Sequence, residues 1–536
     1  MRLSRLLAVL LLFVPRIFAQ STAGEISGVV TDPSGSVVPG VNISLINPST
    51  NTTRSVKSND SGLYVIPAIQ PAVYTLKVEL SGFRAIERKE IEVQVGSSNR
   101  IDFTLEVGEI TSVVEVSGGA PVLQTETTSV GTVIENRRIV ELPLNGRNYL
   151  QLASLIPGAT TNGPTSSQGK QRMGGQRNSF ALNVAGQRIH YNHYSLDGIE
   201  NTDLNFNSYM LLPSIDALQE FKVESGLFAA EYGRAIAQVN VSTKSGTNQL
   251  HGALFEFLRN SALDAKNYFD RPTAPIPPFK RNQYGFTVGG PVVLPKVVNG
   301  TDKLFFLANF EGLRERKGLT QTPSVPLAAE RLGDFSGNPN VIYDPATRVF
   351  DANGNVLQAP TPFSGNRIPD GRIHPVSRKL LQFFPLPQKA ERLANYTNNE
   401  PRRVDASQFT GRVDWTQSAA SNWFFRYSWS GELGYDPRAI PDMGINTDTD
   451  VYQALASNTR VFGANKVNEI KFGVSYLYNA HISPRANNVN VVKDLCIGIP
   501  SDRPCTGAFP TLGFRRLRDW AKRATRRSSI MTPPSS

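Results

Sequence analysis

Between residues 249 and 514, apolar and polar residues alternate with period two in segments of nine to eleven residues, and the apolar side is rich in aromatics. Phe409, Gly411, Val413 and Trp415 alternate with Gln408, Thr410, Arg412, Asp414 and Thr416. After a polar turn, Trp423, Phe425, Tyr427 and Trp429 alternate with Asn422, Arg426 and Ser428, with Phe424 as the exception. Tyr284, Phe286 and Val288 oppose Gln283, Gly285 and Thr287, and Ile470, Phe472, Val474, Tyr476 and Tyr478 oppose Glu469, Lys471, Gly473 and Ser475. Successive side chains of a strand point to opposite faces, so each segment reads as a strand with one apolar and one polar face. The length is that of a tilted strand crossing a bilayer. A soluble sandwich gives the same alternation, so the pattern alone leaves both open. About seven such strands are legible between 249 and 478.

The ends of the chain bear on that choice. Arg2 and Arg5 precede the apolar run Leu6 to Val14, then Pro15 and Ala19-Gln20. This is the layout of a secretory signal, residues 1–19, with a cut after Ala19 or after Ala23. Nine apolar residues reach about 14 Å as a helix, less than half of a ~30 Å hydrocarbon core. The chain is therefore expected to be exported, and no later stretch approaches 18 apolar residues. Of the net charge of +11, three come from Arg2, Arg5 and Arg16, and six from the cluster Arg515, Arg516, Arg518, Lys522, Arg523, Arg526 and Arg527 against Asp519. The body between is nearly neutral, which speaks against a nucleic-acid surface.

Residues 24–106 read as a small β-sandwich. Short alternating runs (Glu25 to Thr31, Val41 to Leu45, Leu63 to Ile66, Tyr74 to Leu80, Ile91 to Val95, Ile101 to Leu105) are separated by Asp32-Pro33-Ser34-Gly35, Pro39-Gly40 and Asn59-Asp60-Ser61-Gly62. The pattern G-x-V-x-D-x-x-G-x-x-x-P-G-V from Gly28 to Val41, D-x-G-x-Y at Asp60 to Tyr64 and Y-x-L-x-V at Tyr74 to Val78 resemble the carboxypeptidase regulatory-like domain. The resemblance implies a prealbumin-like or carbohydrate-binding-like sandwich that is an accessory module, not a peptidase. Residues 107–119 follow as a β-prone segment bounded by glycine. It reads equally as the last strand of the sandwich, a linker, or an edge that adds to a partner's sheet.

Residues 120–247 mix short helices and strands. Leu142-Pro143-Leu144-Asn145-Gly146-Arg147-Asn148, Ser195-Leu196-Asp197-Gly198, Glu220-Phe221-Lys222-Val223-Glu224, Ala230-Glu231-Tyr232-Gly233-Arg234 and Val241-Ser242-Thr243-Lys244-Ser245-Gly246-Thr247-Asn248 occur in that order. The succession resembles the plug domain of TonB-dependent outer-membrane receptors of the Oar-like branch. That resemblance implies an α+β plug, a partial transmembrane β-barrel over 248–514, and an outer-membrane location with the sandwich in the periplasm. It also implies three partners: the TonB energy-transducing complex, outer-membrane lipid and an unidentified small ligand (carbohydrate, peptide or chelate). Val113, Val114, Glu115 and Val116 stand where such receptors carry the strand grasped by TonB. The fold class expected is thus mainly β, and the rival reading is a secreted adhesion protein whose sandwich binds carbohydrate.

Long polar stretches, Gln321 to Pro401 above all, read as extracellular loops. Cys496 and Cys505 lie in such a segment, where an exported chain can form a disulfide; their spacing does not establish one. A plug-filled barrel needs about 22 strands, or roughly 220 residues before loops, whereas 249–514 holds 266 in all. The alternation gives way after Phe514 to the basic segment 515–536. The expectation is a truncated, frameshifted chain that cannot close a barrel; the alternative is a native basic tail that binds anionic lipid or lipopolysaccharide.

No catalytic, cofactor or metal constellation emerges. None of the five histidines opens H-x-x-E or H-E-x-x-H, and His190-Tyr191-Asn192-His193 is a lone H-x-x-H. Neither a G-x-S-x-G elbow nor a phosphate-binding G-x-x-x-x-G-K-[ST] loop occurs. The chain is expected not to be an enzyme and to carry no cofactor.

Overall fold

The computed structural model describes residues 23–484 apart from 109–112, 118–130, 163–180, 189–190, 206, 227, 229–234, 267–274, 353 and 463–465. The expected signal, the Ala230–Arg234 motif, both cysteines and the basic tail lie outside the described residues. No described helix is long and apolar enough to cross a membrane. The chain divides into two compact units.

The first unit comprises Met1–Lys317, Arg403–Gly434 and Thr447–Ala480. It begins with strands β1 (Gly24–Thr31), β2 (Asn42–Asn47), β3 (Thr52–Lys57), β4 (Leu63–Ile69), β5 (Ala72–Glu79), β6 (Ala85–Val93), β7 (Ser98–Arg100), β8 (Phe103–Thr104) and β9 (Val113–Ser117). One sheet runs β4-β1-β7, with β8 also beside β1; the other runs β3-β2-β5-β6-β9. Burial alternates along β1 as its sequence does, and Ile26, Val30, Ile43, Ile66, Leu76 and Leu105 meet between the sheets, fully or almost fully buried. The turn residues act through their side chains. Asp32 Oδ1 accepts the Ser34 and Ser36 amides at 2.9 and 3.0 Å, and Asn59 Oδ1 accepts those of Ser61 and Leu63 at 3.0 Å each. Tyr64, buried in the core, donates its hydroxyl to Ile101 O at 2.6 Å, and burial pushes its pKa up. Gly28 is dictated by close approach: a Cβ there would lie 1.9 Å from Ile101 O, a backbone atom. Gly28→Ala should therefore force β1 from its neighbour and cost roughly 1–3 kcal/mol, read as a lower unfolding midpoint of the isolated 24–106 fragment; an unchanged midpoint would contradict this packing.

The middle module contains β10 (Gly131–Glu135), β11 (Ala159–Asn162), β12 (Ala181–Val184), β13 (Asn192–Leu196), β14 (Ile199–Glu200), β15 (Thr202–Asp203), β16 (Ser208–Tyr209), β17 (Leu218–Ser225) and β18 (Ala237–Thr243). Its main sheet runs β10-β17-β18-β13-β14, with β13 and β18 parallel. A short helix, Asn136–Glu141, follows β10, and a 3-10 turn, Tyr149–Leu155, is capped by Asn148, whose Oδ1 accepts the Leu150 amide at 3.0 Å. Tyr149 packs on Phe221 with ring centroids 5.0 Å apart, and Ile134, Leu196, Val239 and Val241 complete the apolar side.

The long strands are β19 (His251–Asn260), β20 (Phe279–Pro291), β23 (Leu304–Gly318), β28 (Pro401–Ser418), β29 (Ser421–Asp436), β30 (Ile445–Phe462) and β31 (Lys466–Ile482). They form one seven-stranded meander in chain order, the number of strands legible in the sequence. A small hairpin, β21 (Val293–Leu294) and β22 (Val298–Asn299), connects β20 and β23. The faces follow the sequence alternation. Phe425 and Tyr427 are 42% and 47% exposed, whereas Arg426 is 2% exposed and Ser428 is fully buried. Phe424 belongs to the inner face despite being apolar; the Arg412 guanidinium lies over its ring at 4.5 Å.

The second unit comprises Gly318–Arg402, Tyr435–Asn446 and His481–Ser536. Its first part holds two small hairpins, β24 (Tyr343–Asp344) with β27 (Thr361–Pro362) and β25 (Val349–Phe350) with β26 (Val356–Gln358), and the helices Ala328–Arg331 and Pro375–Leu381. The excursion expected as a loop is thus an ordered body held by polar contacts. The amides of Gln321 and Asn398 each donate to the other's carbonyl, at 2.9 and 2.8 Å, closing its neck. Asn395, fully buried, pairs through its side chain with both backbone groups of Val325 at 2.7 and 2.9 Å.

Candidate functional site: the seam between the middle module and the long strands

Asp197 occupies the turn between β13 and β14 with φ +52°, a conformation aspartate tolerates better than most residues. The Thr243 amide and hydroxyl both donate to its carboxylate at 2.9 Å. Two arginines from the inner face of the long strands converge on the same carboxylate. Arg426 Nε lies 2.7 Å from Asp197 Oδ2, and Arg412 Nη1 lies 3.8 Å from Oδ1. Arg412 also pairs with Asp414 at 2.7 Å and donates to Thr243 O at 2.9 Å. Arg426 donates to Gln453 Oε1 at 2.7 Å and to Ser428 Oγ at 2.9 Å. Gln453 and Ser475 in turn donate to Glu200 O at 3.2 and 3.3 Å. Both guanidinium side chains are essentially sealed from water, at 0% and 1% exposure. Ions so buried persist only with partners that offset their desolvation.

A second ionic contact joins the module to β19, β20 and β23. Arg147 follows Gly146 in the left-handed region at φ +54°. It pairs with Asp216 of its own module and lies 3.6 Å from Glu311 on β23, with its guanidinium over the Phe255 ring at 4.1 Å. Glu311 also accepts from Ser214 Oγ and Gln283 Nε2, both at 2.5 Å. A cavity of about 50 Å3 at this seam is bounded by Tyr209, Met210, Glu311, Gln408 and Glu432. That is room for water and not for an organic ligand.

The expected TonB-contacting residues Val113, Val114, Glu115 and Val116 lie on β9, which runs parallel to β6 in the register Ala85↔Val113 through Lys89↔Ser117. They form the last strand of the sandwich, and β9 is the edge of its sheet, paired among the described residues with β6 alone. His193 Nε2 sits 2.9 Å from Glu200 Oε2. Burial works against it, yet hydrogen bonds from His193 and Thr202 hold the Glu200 carboxyl below its usual range. The roles of Asp197, Arg147, Arg412 and Arg426 were not assigned from sequence. The signal available was two arginines on the polar face of adjacent strands, which require an acid from elsewhere.

Residues 242–529 match the family described as Outer membrane beta barrel domain, and residues 25–106 match the Carboxypeptidase regulatory-like domain. The chain is 26% identical over 319 residues to the TonB-dependent transporter Oar of Myxococcus xanthus, an alignment that covers 56% of this chain and 27% of that protein. It thus spans about a quarter of the length of this curated relative. Among solved structures it is similar to the outer membrane transporter YddB of Escherichia coli (12% identity, TM-score 0.42, covering 66% of this chain and 39% of that one). It is similar also to the siderophore receptor PirA of Pseudomonas aeruginosa (12% identity, TM-score 0.35, covering 66% and 41%). The assignment rests on the family match, which takes in more than half of the chain: this is an outer-membrane protein of the Outer membrane beta barrel domain family, a homologue of the TonB-dependent transporter Oar that carries a carboxypeptidase regulatory-like sandwich in front.

Proposed function

We propose that the protein is a TonB-dependent outer-membrane transporter or receptor in which residues 120–247 are the plug and Val113–Val116 the strand taken by TonB. The observation that supports this reading most is the Asp197–Arg412–Arg426 cluster, a set of buried charges shared between the middle module and the inner face of the long strands. Such a seam is strong while every charge is paired and costly once one partner leaves. It suits a part that stays seated until it is pulled. In this mechanism β9 offers its open edge to a TonB strand, and tension then draws on the module. Displacement of Asp197 and Arg147 from their partners opens a path along the polar inner face for a small ligand, whose identity is left to experiment. The aromatic outer face, with Phe425, Tyr427, Phe472 and Tyr476, would meet lipid, and the sandwich would lie in the periplasm.

Proline removes a backbone donor, and successive residues of a strand direct their N–H groups to opposite edges. One of Val114→Pro and Glu115→Pro therefore strikes the edge toward β6 and the other strikes the open edge. Crosslinking of the intact protein to the TonB C-terminal domain is expected to fall at least severalfold in the open-edge variant. Unchanged crosslinking in both variants would refute the assignment of β9.

A further inference from the structure

On β17 and β18, Glu220, Lys222, Glu224, Gln238, Asn240 and Ser242 make up one polar sheet face, and all six are at most 4% exposed. A polar face sealed from water needs partners. Some are internal: Lys222 pairs with Glu224 at 2.8 Å, and Asn240 receives the Ser195 hydroxyl at 2.7 Å. Two more come from the sandwich. The turn between β6 and β7, shaped by Gly96 at φ +57° and by Ser97 Oγ donating to Gln94 O at 2.8 Å, reaches this face. There the Val95 amide donates to the Glu220 carboxyl, and Lys222 Nζ donates to Gly96 O at 3.1 Å, with Val95 fully buried. A second turn of the sandwich touches the start of the long strands. The Asn248 amide donates to Ser49 O at 2.9 Å, and Asn51 Nδ2 donates to Asp302 Oδ1 at 3.0 Å. Asp302 and Asn248 are themselves tied by bonds of 2.6 and 2.8 Å.

We propose that the sandwich is a strap with two feet, one on the middle module at Glu220 and Lys222 and one on the long-strand sheet at Asn248 and Asp302, and that the Glu220 foot is released by loss of a proton. The groups facing Glu220 are Glu92 from β6, Glu135 directly opposite on β10, and Lys222 on its own strand. Burial first, then the negative charges of Glu92 and Glu135, push its pKa up to about 7, against the opposing effects of the Val95 amide and Lys222. Docking buries this carboxyl, so the docked form holds the proton more tightly than the released one. Its contribution to docking is fully present below the ordinary carboxyl range and is lost as pH rises through about 7. The strap thus holds in mild acid and loosens at alkaline pH. Because its two feet stand on the two bodies joined by the ionic seam, it restrains any motion of one against the other. The link to transport rests on the function proposed above; the strap itself does not.

Amide exchange at Val95 tests it in the intact protein in detergent, referred to the Val30 amide, which donates within the sandwich to Gly62 O at 2.9 Å. Both amides share the same intrinsic pH dependence, so their ratio reports docking. Between pH 5.5 and 8.5 the ratio is expected to rise by roughly ten- to thirtyfold, the change linkage gives for such a shift. It should stay flat in Glu220→Gln, whose amide still accepts from Val95, and rise as in the wild type in Asn248→Ala. A flat ratio in the wild type, or an equal rise in Glu220→Gln, would overturn the proposal. Should Glu220→Gln not fold, the wild-type ratio decides alone. TonB takes no part in this readout, so its failure leaves the transporter reading standing, and failed TonB crosslinking leaves the strap standing.

Discussion

Replacing Asp197 by alanine is expected to destabilise the folded protein by about 3–5 kcal/mol, because it leaves two buried guanidinium groups without their shared acid. Arg412 would retain Asp414 at 2.7 Å, whereas Arg426 would retain only neutral acceptors such as Gln453 and Ser428. Asp197→Asn separates charge from geometry. Asparagine keeps the left-handed turn and, through its one side-chain oxygen, the bond from the Thr243 amide; it loses the ion pairs and the bond accepted from the Thr243 hydroxyl, so its cost should still be smaller than that of alanine. Removing both ends with Asp197→Asn and Arg426→Met should recover part of the loss. Denaturant unfolding of the intact protein in detergent gives all three values. An alanine variant within about 0.5 kcal/mol of wild type would mean that the cluster adds nothing to the seam.

In the context of a full-length barrel, Phe425→Arg should lower the yield of membrane-inserted protein by the equivalent of about 2–4 kcal/mol if the site is near the bilayer midplane. Arginine is already native one residue along, at position 426, where it faces the inner side. Tyr427→Arg should behave as Phe425→Arg does, since the two are exposed on one face. Changing Ser428, on the inner face, to asparagine should leave insertion nearly unaffected. The measurement is the folded, heat-modifiable fraction in the outer membrane. Equal insertion with arginine at 425 and 427 would show that this face does not meet lipid.

What could be read in advance and what could not divide along a physical line. The strands of the sandwich and the seven long strands follow from period-two alternation, a local property that the sheet converts directly into two faces. Asp32 and Asn59 were legible as turn formers for the same reason, since each bonds amides within four residues. Phe424 broke the pattern because its inner-face environment includes a stacked guanidinium twelve residues earlier, which alternation does not encode. Asp197 reads locally as a turn residue before glycine and is one. Its role as an acid for Arg412 and Arg426 arises from chain separations of more than two hundred residues. Glu220 and Lys222 likewise look like an exposed charged strand face until the sandwich turn at Val95 covers them. The segment at Val113 was legible as a strand, and its pairing with β6 was one of the readings left open.

Fractionation of the native protein with an antibody to the sandwich tests the central claim most directly. The epitope is expected in the outer-membrane pellet, resistant to high salt and alkaline washing and released only by detergent. A sandwich epitope recovered as soluble secreted protein would contradict the outer-membrane barrel and favour a surface-binding protein built from β-domains.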